Sequence, residues 1–245
     1  MNLSVFQFAI ISPSLRYFQD RFLRKFNLEL YRNQLFQKIL IFGCYTKFEI
    51  RNIKKLLQQQ NTIYLLWGGT DCHTLKMFQY LPKHKNLFHL SISTDVHSTL
   101  TQNNIESIFI ENFNMLETKH FQNNQDNQKK QNIYIYNGLH GNKIRENFFG
   151  KTIYDKVVSI LIEKHNFKKE QFIYSNQLCL PYEKMNEIYQ TCFIGLRLCP
   201  HDANANTIQE FEYLEIPIIH NCSTYGLKWN NESDIIETIL KNYTF

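Results

Sequence analysis

From Lys38 onward, short apolar runs rich in β-branched and aromatic residues alternate with longer amphipathic stretches, and few folds accept that rhythm. A strand covered on both faces reads as an unbroken apolar run, and a parallel neighbour requires a crossover, usually a helix. The alternation therefore predicts an α/β chain with parallel strands. In the first half it predicts strands at Ile39–Phe42, Ile63–Trp67, Leu87–Ile92 and Ile105–Ile110, with helices at Phe48–Gln58, Thr74–Tyr80 and Val96–Gln102. In the second half the strands fall at Ile133–Tyr136, Phe172–Tyr174, Cys192–Leu196 and Pro217–His220, and the helices at Ile153–His165, Tyr182–Gln190, Thr207–Leu214 and Ser233–Lys241. Before Lys38 two readings stay open, a helix over Ser14–Leu30 or a strand over Val5–Ile11.

Between the halves, His120–Asn132 is almost wholly Gln, Asn, Lys and Asp, a composition that adds little to a core. It reads as a linker over residues 120–132, separating an N-terminal Rossmann-like domain (1–119) from a C-terminal one (133–245). A chain of 245 residues suits two such units facing across a cleft. The 43% of hydrophobic residues exclude disorder over most of the length, because that much apolar surface offsets the conformational entropy of folding.

Charge excludes less. Lys and Arg number 27 against 22 Asp and Glu, but the cations are scattered in doublets such as Lys54-Lys55, so nucleic acid is not expected as a partner. Six Cys occur without a CxxC pair or the Cys/His spacing of a zinc site, and no metal is expected. Met1–Tyr17 lacks a basic start and is broken by Pro13, and no later run offers the ~20 apolar residues of a membrane span. Those features point to a cytoplasmic protein with no transmembrane segment.

The stretch Cys192–Asn221 carries the most chemistry: a buried strand, a polar loop of small residues, a helix, a turn at Pro217 and a second buried strand. Free backbone N–H groups and the positive end of the helix would lie beyond the carboxyl edge of the strand, where open α/β sheets place ligands. Ala203, Asn204, Ala205, Asn206 and Thr207 would let a diphosphate approach the backbone. In the first half, Gly43 follows one strand, and Gly68, Gly69, Thr70 and Asp71 follow the next, a tight turn facing the same kind of edge. Asp71 reads as a helix cap, or as a catalytic contact to or base for an acceptor hydroxyl, and the two roles can coexist.

Asp202 in the loop, Glu210 eight positions later and Pro217 opening the next strand resemble the donor-binding region of retaining glycosyltransferases of the GT-B class. The chain departs from that pattern in having Asp202 where a Glu is usual and in lacking a Gly-Phe-Gly after it. The helical stretch Pro181–Tyr189 resembles the element that introduces this loop. Gly138 at the end of the Ile133 strand, with Lys143, Arg145 and Lys151 beyond it, resembles the loop that supplies cations to a donor pyrophosphate. Short sugar transferases of large DNA viruses are similar. The likeness runs through residues 133–245 and reaches the first half only in architecture.

The resemblance implies transfer of a sugar from a UDP- or GDP-sugar, as substrate, to a glycan or other hydroxyl acceptor, with retention and no cofactor or metal. It implies that Glu210, in a solvent-facing cleft, takes the ribose hydroxyls and that Asp202 with His201 faces the sugar. Two cations among Lys143, Arg145, Lys151 and Arg197 would then neutralise the diphosphate. Two rivals stand beside it: a non-catalytic nucleotide- or carbohydrate-binding module, and a sugar-nucleotide epimerase on the same fold.

Overall fold

The computed structural model describes residues 2–69, 71–72, 79–111, 113–121, 130–138, 146–200, 205–221 and 225–243. The chain divides into two compact units, Met1–Met115 and Leu116–Phe245, each built on its own parallel sheet. The division falls earlier than the polar linker suggests. Phe121, inside the segment read as linker, is 1% exposed and packs on Tyr182 and Tyr189 of the second unit.

In the first unit the described strands are β1 (Phe8–Ile11), β2 (Glu29–Leu30), β3 (Lys38–Phe42), β4 (Thr62–Trp67), β5 (Leu87–Ser91) and β6 (Ser107–Phe109). They pair in the order β2-β1-β3-β4-β5-β6, every pair parallel. Central β3 is buried from Ile39 to Phe42, which is why it reads as a continuous apolar run. Both readings of the N-terminus hold in part. Phe8–Ile11 is a strand, α1 (Gln19–Phe26) is a helix, and Asn27 at φ 52° stops that helix so that Glu29–Leu30 pairs as an edge.

Among the described residues two further helices cross over in this unit, α2 (Lys47–Gln58) and α3 (Thr94–Gln102). Thr46 caps α2 by accepting from the Glu49 N–H, and the Glu49 carboxylate returns to Tyr45 N–H at 2.9 Å. Ile50, Ile53, Leu56 and Leu57 are the buried stripe of α2. Of the helix expected at Thr74–Tyr80, residues 74–78 lie outside the described residues.

The second unit holds β7 (Asn132–Ile135), α4 (Lys151–His165), β8 (Phe172–Tyr174), α5 (Met185–Tyr189), β9 (Cys192–Leu196), α6 (Asn206–Tyr213), β10 (Ile218–Ile219) and α7 (Glu232–Asn242). Its strands pair in parallel in the order β10-β9-β7-β8. Alternate residues of β7 face opposite layers. Ile133 and Ile135 join α4 and α7 through Val157, Leu161, Ile235 and Ile239. Tyr134 joins α5 and α6 through Tyr189, Ile208 and Phe211.

The two sheets share one winding. The second strand lies on one side of the first, and the third returns to its other side, from which the sheet grows outward. The order therefore reverses between β1 and β3 in one unit and between β7 and β9 in the other. Open α/β sheets bind ligands outside the carboxyl ends of the strands at such a reversal. The four outermost strands, β2, β6, β8 and β10, are two or three residues long.

Candidate functional site

At the reversal in the second unit, Tyr136, Asn137 and Gly138 leave β7 while Arg197 leaves β9. The Arg197 N–H donates to Ile219 O at 3.0 Å, and its carbonyl accepts from His220 Nδ1 at 3.0 Å. A carbonyl only accepts, so His220 carries its proton on Nδ1. With its backbone held on both sides, Arg197 lays its guanidinium 3.9 Å above the Tyr136 ring centre and 5.5 Å from that of Phe149. It is 7% exposed, and a desolvated cation over an aromatic face gains about 2 kcal/mol. Gly150, at φ 80°, opens α4 against the segment after β9: a Cβ there would stand 2.8 Å from Leu198 Cβ.

Helix α6 begins after the same strand, with Ala205 as an N-cap that offers no side-chain bond. Ile208 and Gln209 N–H turn back to Ala205 O, which leaves Asn206 and Thr207 at the positive end of the helix. His201, Asp202 and Asn204 lie outside the described residues, as do Lys143, Arg145 and Thr70.

Glu210 does not face solvent. It is 3% exposed, and its Oε2 accepts from the Tyr189 hydroxyl at 2.8 Å. Burial, reinforced by the Glu210 charge, pushes the Tyr189 and Tyr134 hydroxyls well above the usual tyrosine range. The reason is helical spacing: Thr207, Glu210, Phe211 and Leu214 recur at i, i+3, i+4 and i+7 and form one buried stripe. Lys151, the first residue of α4, is drawn to Asp155 at 3.3 Å and Glu146 at 3.6 Å.

Residues that sequence reasoning missed tie β7 to β8. Asn137 N–H donates to Ser175 Oγ at 2.9 Å, and Asn137 Oδ1 accepts from Asn176 N–H at 2.9 Å. The Ser175 hydroxyl donates to Gly138 O at 2.7 Å, and Asn176 Nδ2 donates to Glu146 Oε1 at 2.6 Å. Partners 37 to 39 residues apart carry no local signal.

The matching edge of the first unit is closed by its own side chains. Gly43 has φ 83°, and a Cβ on it would stand 2.7 Å from Leu15 Cδ1 and 2.9 Å from Tyr45 Cε2. Leu15 and Tyr45 also lie 3.2 and 3.3 Å from a Cβ built on Gly68. Asp71 is fully buried, and its carboxylate accepts four backbone N–H groups: Gly69 at 2.8 Å, Gly68 and Cys72 at 3.0 Å, and Cys44 at 3.1 Å. Burial pushes its carboxyl up to about 6, against the downward pull of those donors. Burial likewise pushes the Cys44 and Cys72 thiols to about 12, so neither is a ready nucleophile.

Among the described residues, no group of three or more His, Cys, Asp and Glu is placed to hold a metal, and no helix is long and apolar enough to cross a membrane. No protein-family model matches the sequence, and no curated protein matches it.

Proposed function

We propose that the chain is a glycosyltransferase of the GT-B class whose second unit holds the diphosphate of a nucleotide-sugar donor. The single observation that carries this is Arg197, a cation backed by aromatic rings at the strand-order reversal, on the strand after which α6 starts without a side-chain cap. Departure of a nucleoside diphosphate develops negative charge, and preorganised cations and backbone donors stabilise that charge in the transition state. Each charge-assisted bond contributes roughly 1.5–3 kcal/mol. Glu210 acts here through Tyr189 as a positioning residue for α6. Retention and the UDP- or GDP-sugar come from the resemblance of Asp202, Glu210 and Pro217.

A second reading, a non-catalytic nucleotide- or carbohydrate-binding module, is favoured by one observation. Asp71 and Glu210, the two candidate carboxylates among the described residues, are both buried and bonded within the protein. Thermal shift against UDP- and GDP-sugars tests both readings, since a ligand at about 100 times its Kd adds roughly 2.7 kcal/mol. A transferase is stabilised by one of them and slowly releases the nucleoside diphosphate to water. A binding module is stabilised without release, and absence of any stabilisation ends both readings.

A further inference from the structure

Asn176 is 8% exposed, yet among the described residues its side-chain Oδ1 has no hydrogen-bond partner. A buried acceptor left unpaired is costly, and native proteins rarely tolerate one without a use for it. Its orientation is not free. The amide nitrogen donates to Glu146 Oε1 at 2.6 Å, and a carboxylate cannot donate in return, so a flipped amide would set two acceptors against each other. Glu146 is itself placed beside Lys151 at 3.6 Å, and the Asn176 N–H is anchored on Asn137 Oδ1.

This pinned acceptor lies on the same sheet edge as Arg197. Asn176 follows β8 and Arg197 follows β9, with β7 between them. The two backbones are two strand spacings apart, about 10 Å, and the Arg197 guanidinium reaches over Tyr136 at the end of the strand between them. A nucleotide whose phosphate is held by Arg197 has its base to place along this edge.

We infer that Asn176 reads the base of a nucleoside diphosphate, accepting a ring N–H at Oδ1, and that Glu146 is the positioning residue that keeps Oδ1 toward the ligand. The inference rests on the donor-site reading above. A base that presents a donor satisfies the orphan acceptor, whereas a base methylated at that nitrogen leaves it unpaired and adds a clash.

The test is calorimetric titration of the full chain with UDP against N3-methyl-UDP, GDP against N1-methyl-GDP, and inorganic pyrophosphate. The unmodified nucleotide of the preferred pair should bind about tenfold or more tightly than its methylated partner. Asn176→Ala should reduce that ratio to near one and leave pyrophosphate affinity unchanged. Glu146→Gln should shrink the ratio too, since Gln can donate and lets the amide turn over. Equal binding of methylated and unmodified nucleotides overturns the inference while leaving the donor site standing. So does an Asn176→Ala variant that weakens UDP-glucose but not UDP, because the acceptor then reads a sugar hydroxyl. If neither pyrophosphate nor any nucleotide binds, the donor-site reading falls and takes this one with it.

Discussion

The two units wind their sheets alike, and they treat the resulting crevice in opposite ways. In the first unit Leu15 and Tyr45 crowd the space over Gly43 and Gly68, and Asp71 takes up four backbone donors. In the second unit the corresponding edge carries Arg197 over Tyr136, an uncapped helix start and the unpaired Oδ1 of Asn176. Topology places a crevice; side chains decide whether it is sealed or lined with polar groups.

The largest effect should come from breaking the sealed edge. Asp71→Ala leaves four backbone N–H groups without their acceptor and should cost about 3–5 kcal/mol in urea unfolding followed by circular dichroism. A loss below about 1 kcal/mol would mean that the carboxylate is not what holds the two turns together. Glu210→Ala comes next. It orphans the Tyr189 hydroxyl and opens a cavity beside Phe211, so it should destabilise by about 2–3 kcal/mol rather than act only on ligand affinity. An unchanged midpoint would return Glu210 to the ligand side.

Arg197→Met sharpens the contrast from the other side. Methionine keeps most of the packing on Tyr136 while removing the charge, so stability should fall by no more than about 2 kcal/mol, whereas pyrophosphate affinity should fall about ten- to a hundredfold. Equal loss of stability and affinity would make Arg197 a structural cation, like Asp71 in its role.

The smallest effect is a cancellation within the first unit. Burial holds the His89 imidazole, whose Nδ1 accepts from Trp67 Nε1 at 3.2 Å, down at about 4. Between pH 4 and 6.5 the unfolded chain therefore binds a proton that the folded one refuses, and this group adds stability as pH rises. Asp71 does the reverse. Its carboxyl is raised from 3.8 to about 6, so the folded chain keeps a proton the unfolded one releases, and stability falls over the same interval. Each contribution is about 3 kcal/mol, so the pair should leave a nearly flat profile from pH 4 to 6. His89→Gln should expose the falling limb; a profile that stays flat in the variant would remove Asp71 as a proton-holding group.

Much of the fold was legible because the crossovers are regular. Phe172–Tyr174 and Cys192–Leu196 occupy the residues their apolar runs predict, and α2, α4 and α7 start within two residues of their expected positions. The N-terminal strands were ambiguous because β1 is four residues long and β2 two, too short for periodicity to separate from helix. Arg197 could be picked out as a cation following a buried strand. Glu210 was misjudged because its spacing from Asp202 drew more weight than its place on the stripe of Thr207, Phe211 and Leu214. Asn137, Ser175 and Asn176 were beyond reach, since only the pairing of β7 with β8 brings them together.

The brevity of the four outermost strands has a consequence for the protein in bulk. A long bare strand is a template on which another chain can add its own backbone, the first step toward fibrous aggregates. With rims of two or three residues, neither sheet presents enough unpaired N–H and C=O groups to recruit a neighbour, so the five- and six-residue strands richest in β-formers stay shielded inside.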